Sequence, residues 1–309
     1  MNRSYPPLAQ RSVTRVCALA VLALAGACAS APAPGPAAPS APGPSEPAGR
    51  DLPSASALAV LDATLWMQTS AEYAAMSRQI WTAAARLLPE ALADTGWTAA
   101  LEQESGAGKL PPAVIVDVDE TVLDNSPYAA RLIERDARFS EETWAEWVNE
   151  ARARPVPGAL EFVRRARELG VEVFYVTNRL ANLEAGTRRN LEAMGFPAGD
   201  AEDVYLLKGE RDEWGSDKTS RRAWVAERYR VLLLVGDDLN DFTNGARGTS
   251  VAARARLVER HGDRWGTRWI VLANPTYGSW VSALLLELEE PSDADVVQRK
   301  LESLDPAEG

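Results

Sequence analysis

The 309-residue chain is long enough to bury the core of one large α/β domain without disulfide staples. Its 44 acidic side chains outnumber 33 basic ones and leave a formal charge of −11, so a broad basic surface, and with it a nucleic acid polymer as partner, is excluded. Any phosphate group must then be met by local cations or by a metal.

The first 27 residues place Arg3, Arg11 and Arg15 ahead of an apolar run from Val16 to Ala25, the layout of a signal peptide. That run is far shorter than the roughly 20 residues needed to span a bilayer. Cys28 follows Leu24, Ala25, Gly26 and Ala27, which resembles the lipobox of bacterial lipoproteins, with Ala25 in the position usually held by leucine. The resemblance implies acylation of Cys28, export, and membrane anchoring through the lipid, and Ala29 in place of an aspartate is compatible with sorting to an outer membrane. Residues 1–27 hold three arginines, no acid and Cys17, so the remainder carries −14 and no internal disulfide. Residues 28–50 are rich in Pro, Ala and Gly and read as a disordered tether.

From Leu58 to Leu88 apolar residues recur at three-and-four spacing (Leu61, Leu65, Tyr73, Met76, Ile80, Ala84, Leu87) and predict one long amphipathic helix. ESGAGKLPP at 104–112 breaks the pattern, and Ala113–Val118 reads as a short buried strand. The chain then alternates. A helix is expected near 157–169, an apolar run at 171–176, a helix near 183–194 and a strand at 203–207. A helix over 218–229, a strand at 231–235, a helix across 246–261 and a last strand at 269–272 complete the order. Strands alternating with helices of this length predict a Rossmann-like, doubly wound parallel sheet. In such sheets ligands bind at the carboxyl ends of the strands.

Four polar stations follow those ends. VIVDVDETVLDNS carries Asp117 and Asp119 out of the first strand. One carboxylate can attack phosphorus and the other can move protons at the leaving oxygen and at water. VFYVTNR ends in Thr177, whose hydroxyl suits a phosphoryl oxygen, with Asn178 and Arg179 beside it. Lys218 opens the helix before the fourth strand, where an ammonium can neutralise developing charge. VLLLVGDDLNDF ends in Asp237, Asp238 and Asp241, oxygen ligands suited to Mg²⁺, although Asp241 equally fits the N-cap of a following helix. Lys208 also precedes the fourth strand, but Lys218 lies closer to the expected helix start.

These segments, with LWMQTSAEYAAM, WVNEARARPVPGALEF and NPTYGSW, resemble the haloacid dehalogenase superfamily and, within it, the class C acid phosphatases, the family of bacterial lipoprotein 5′-nucleotidases. The match runs over about residues 64–280. It implies a haloacid dehalogenase-like domain over 51–290 with a mainly helical cap (about 51–105 and 125–156), and a polar tail at 291–309. It further implies Asp117 as nucleophile and Asp119 as acid/base. Mg²⁺ would be held by the Asp117 carboxylate, the Asp119 carbonyl and Asp237, with Asp241 acting through water. A small phosphomonoester is then the substrate, and the chain is compatible with a homo-oligomer.

FSEETWAEWVNEARARPV is too long for a direct strand-to-helix turn and is a candidate cap. Trp144 or Trp147 within it, and Tyr277 after the last strand, would by the same resemblance stack on a substrate ring and favour nucleoside monophosphates. RHGDR at 260–264 mimics a histidine phosphatase signature, but His261 is the single histidine of the chain. GAGK at 106–109 lacks the P-loop spacing, and no Cys/His pattern for zinc exists. Two rivals stand beside the phosphatase: a non-catalytic ligand-binding lipoprotein on the same fold, and a signalling phosphoacceptor, against which Asp119 and the export signal both argue.

Overall fold

The computed structural model describes residues 52–103, 106–199 and 203–307, so the signal peptide, Cys28 and the tether lie outside the described residues. Five apolar runs form one parallel sheet: β1 (Pro112–Val116), β4 (Glu172–Leu180), β5 (Tyr205–Lys208), β6 (Arg230–Gly236) and β7 (Trp269–Val271). Between β1 and β4 lie two short antiparallel strands, β2 (Leu123–Asp124) and β3 (Arg154–Pro155). Every residue of β6 is buried, as expected of a strand covered on both faces.

Spatial order in the sheet is β5-β4-β1-β6-β7. The chain therefore winds outward from β1 to β5, then returns to the other side of β1. The order reverses between β1 and β6, and a crevice opens above their carboxyl ends. Alternation along β4 separates the faces: Phe174 meets Trp224 of the helix Thr219–Ala226 at 6.1 Å, while Tyr175 meets Phe196 at 6.4 Å.

The expected 58–88 helix is two helices, Leu61–Thr69 and Ala71–Ala93. Ser70 separates them because its extended backbone lets its hydroxyl accept from Tyr73 N at 3.0 Å and cap the second helix. Trp81 of that helix packs on Phe162 of the helix Ala159–Glu168 at 4.9 Å, over the sheet. The cap segment folds as two helices, Ser126–Glu134 and Glu141–Glu150, and β2 pairs with β3 to clamp its two ends together. The C-terminal tail carries a helix, Asp293–Glu302, started by a Ser292/Asp295 capping box and set beside the short helix Ala55–Leu58. Among the described residues no helix is long and apolar enough to cross a membrane.

Candidate active site

Asp117 leaves β1 as one more rung beside β6, its N–H donating to Val235 O at 2.9 Å. The next turn is tight. Val122 and Leu123 both donate back to Val118 O, and Glu120 takes a positive φ of 55°. Continuing the β1/β4 register, in which Val116 faces Tyr175, brings Thr177 level with Val118 and hence between the two aspartates. At the end of β6, Gly236 leaves room for the Asp241 carboxylate; a Cβ there would meet Asp241 Oδ2 at 2.1 Å. The crevice is thus built by backbone proximity before side chains are considered.

Lys218 precedes the helix Thr219–Ala226 and is 4 % exposed. Its Nζ donates to Asp117 Oδ1, and to Asp241 Oδ1 at 2.6 Å. Burial pulls the ammonium down, but Asp117 and Asp241 outweigh it and hold Lys218 above its ordinary range. Burial likewise pushes Asp117 up to about 7, with Lys218 opposing and Asp241 and Asp119 adding to the rise. Asp237 is held well above the usual carboxylate range by burial and by the charges of Asp117 and Asp241. Asp117, Asp237 and Asp241 each offer an oxygen within 4.8 Å of the others. Three carboxylates facing one ammonium leave a surplus of negative charge, and an all-oxygen donor set of this size fits a hard divalent cation.

Asp119 does not join that cluster. Arg179 grips it, with Nη2 at 2.7 Å and Nε at 3.0 Å from Oδ1, and Asn125 Nδ2 donates to the same oxygen at 2.8 Å. The remaining Arg179 nitrogen, Nη1, donates to Thr187 Oγ1 at 3.2 Å. Asn178 donates to Ser216 O at 3.0 Å and accepts from Arg221 Nη2 at 2.7 Å. These side chains hold the loop before Lys218 and the carboxylate of Asp119. Thr177 Oγ1 accepts from Arg179 N at 3.1 Å, which leaves its hydroxyl proton available.

Of the two cap tryptophans, Trp147 is 2 % exposed and donates to Asn125 Oδ1 at 2.8 Å. Trp144 stays at the site, its ring 5.6 Å from the Arg179 guanidinium. Tyr277 is 45 % exposed, and its hydroxyl donates to Glu120 Oε2. Lys218, and not Lys208, is the lysine brought to Asp117. His261 ends its helix and packs on Trp269, away from the crevice chemistry.

Sequence reasoning missed a supporting set. Arg221 Nη1 donates to Thr177 O, and Arg222 Nη1 donates to Asn240 O at 3.0 Å, so the two arginines after Lys218 tie its helix to both neighbouring strand ends. Arg222 is itself neutralised by Glu102 at 2.7 Å. Asp238, next to Asp237, turns away and accepts from Ser279 N at 2.7 Å and Ser279 Oγ at 2.6 Å; Asn274 Nδ2 donates to Asp237 Oδ2 at 2.8 Å. No local signal in SDKTSRR marks its two arginines, because arginines at a helix start ordinarily read as solvated cations.

The sequence profile described as HAD superfamily, subfamily IIIB (Acid phosphatase), matches residues 50–280. Among solved structures, the class C acid phosphatase from Bacillus anthracis superposes with a TM-score of 0.72 at 31 % identity, covering 82 % of this chain and 99 % of that one. A structure of the same Bacillus protein with tungstate bound superposes with a TM-score of 0.71. Among curated proteins, Stem 28 kDa glycoprotein of Glycine max is 26 % identical over 141 residues, 44 % of this chain. Acid phosphatase 1 of Solanum lycopersicum is 29 % identical over 146 residues, 46 % of this chain. The chain spans about half the length of the curated relatives it matches, 54 % of each of these two.

Proposed function

Because the chain belongs to the HAD superfamily, subfamily IIIB of acid phosphatases, we propose that it hydrolyses small phosphomonoesters, nucleoside 5′-monophosphates above all, with Mg²⁺ as cofactor. The observation that carries this reading is the convergence of Asp117, Asp119, Thr177, Lys218, Asp237 and Asp241 on one crevice at the sheet's switch point. The tungstate held by the Bacillus anthracis relative is an oxyanion, as phosphate is, and supports the same class of ligand. Export and anchoring at Cys28 in an outer membrane belong to the proposal on the strength of residues 1–29 alone.

Asp117 is the nucleophile. Its carboxylate oxygen forms a bond to phosphorus as the bond to the ester oxygen breaks, and Asp119 supplies the proton that oxygen needs. Water then attacks the aspartyl phosphate, Asp119 takes its proton, and phosphate leaves with Asp117 restored. Lys218 opposes the protonation that burial favours at Asp117 and, with the Thr177 hydroxyl, bonds the transferring oxygens. Arg179 and Asn125 hold Asp119 ready for both proton transfers. Asp117, Asp237, the Asp119 carbonyl and, through water, Asp241 would hold the Mg²⁺, which supplies charge neutralisation at the phosphoryl group. Trp144, beside the Arg179 guanidinium, and the half-exposed Tyr277 are the rings that would take a base.

The test is phosphate release by the purified protein from an aryl phosphate and from a nucleoside monophosphate, in Mg²⁺ and in excess EDTA. Magnesium-dependent release from both is expected. Release from neither, by folded protein, would overturn the reading in favour of a binding lipoprotein.

A further inference from the structure

Tyr277 combines two properties that rarely coincide. The residue is 45 % exposed, yet its hydroxyl donates to a carboxylate, Glu120, whose residue is 1 % exposed. Glu120 lies three residues after Asp117, in the sparsely populated left-handed region at φ 55°, and its N–H donates to Leu123 O at 2.8 Å. Its Oε1 accepts from Asn125 N at 2.9 Å, and its Oε2 takes the tyrosine beside a longer contact from Asn125 Nδ2 at 3.5 Å. A buried carboxylate held this firmly is a fixed anchor.

The main chain around Tyr277 does not need that anchor. Asn274 Oδ1 accepts from Thr276 N at 3.0 Å, and the same side chain donates to Asp237 at 2.8 Å. On the other side, Ser279 N donates to Asp238 Oδ2 at 2.7 Å. The loop is thus fastened to β6 at both ends, and the bond to Glu120 adds one thing only, the direction of the Tyr277 ring. The same Asn125 that holds Glu120 also donates to Asp119 at 2.8 Å, so ring and proton-transferring carboxylate are referenced to one residue.

We propose that Glu120 is a specificity-determining positioning residue, which latches the Tyr277 ring at the mouth of the crevice so that it takes the flat face of an aromatic leaving group. This rests on the phosphatase reading of the crevice. A latched ring meets a base without first losing its rotational freedom, an advantage that a substrate without a ring cannot use.

Calorimetric titration of the full-length protein with adenosine monophosphate and with inorganic phosphate, in excess EDTA so that the ester is not turned over, tests the proposal in wild type, Tyr277→Phe and Glu120→Gln. Tyr277→Phe keeps the ring and removes only the donor. Nucleotide affinity should fall about tenfold in Tyr277→Phe, the worth of one hydrogen bond, and less in Glu120→Gln, whose amide still offers the hydroxyl a neutral partner, while phosphate affinity moves less than about twofold in both. The double variant should be no weaker than Tyr277→Phe alone, because that substitution has already removed the contact. Should Glu120→Gln fail to fold, Tyr277→Phe decides alone. Unchanged nucleotide affinity in Tyr277→Phe, or equal weakening of both ligands, would overturn the latch. A wild type that releases no phosphate from any ester would instead overturn the phosphatase reading, and the binding ratios would still judge the latch.

Discussion

Among the described residues, two places bring three carboxylates within 4.8 Å of one another: Asp117, Asp237 and Asp241 in the crevice, and Glu184, Asp203 and Glu210 at the outer edge of the sheet beside β5. The second even borders a cavity of about 330 Å³, with Leu206, Arg211, Trp214 and Trp224 in its walls. Each set has one cation against three carboxylates, and what separates them is desolvation. Arg188 pairs with Glu184 at 2.6 Å and with Asp203 at 2.5 Å, and Glu210 accepts from Leu207 N at 2.7 Å, all at half-exposed or exposed positions that water can screen. In the crevice one lysine serves three buried or half-buried carboxylates, and Asp117 and Asp237 are both pushed upward. Proximity of acids is common; a desolvated set at the switch point is the feature that points to chemistry.

The comparison breaks most sharply at the nucleophile. Asp117→Asn should lower phosphate release by more than about 10⁴-fold with an unchanged circular dichroism spectrum, whereas Glu210→Gln should stay within about twofold of wild type. Equal losses would mean that the edge cluster matters to the reaction. Next in size is Arg179→Met. Freed from its guanidinium partner, Asp119 loses its orientation, and kcat should fall about 10²-fold with a smaller change in KM; a change confined to KM would restore Arg179 to the substrate.

Metal should distinguish the clusters by stability. Saturating Mg²⁺ should raise the Tm by several degrees in wild type and in Glu184→Gln, but not in Asp237→Asn. The gain should grow with pH. Asp117 binds its proton more tightly folded, at about 7, than at its ordinary 3.8, so protonation favours the native state. The metal-free protein therefore has this contribution in full below pH 3.8 and loses it as pH rises through about 7, where Mg²⁺ takes over. Thermal melts from pH 4 to 8, with and without Mg²⁺, check the crossing, and Asp117→Asn should flatten it. The smallest effect is expected from Arg188→Gln, whose half-exposed pairs are worth less than about 1 kcal/mol in a urea melt.

Much of the crevice was legible in the chain because its information is local. Apolar runs of five to seven residues, each ending in a polar station, specify a covered parallel strand and the end at which ligands gather, which is how Asp117, Asp119, Thr177 and Asp237 could be named without coordinates. The helix break at Ser70 was equally local, a capping serine inside an apolar stripe, and it was outweighed by the three-and-four spacing around it. What the chain could not disclose were pairings between distant residues. Arg179 closes on Asp119 sixty positions away, and Lys218 rather than Lys208 reaches Asp117 across 101. Trp147 and Trp144 share a helix, yet one faces the core and the other the crevice. Strand composition and strand ends follow from the order of neighbouring residues, so sequence determined the scaffold and the reacting groups. Which charge answers which, and which ring stays in solvent, depends on distances between elements that exist only once the sheet has closed its order between β1 and β6.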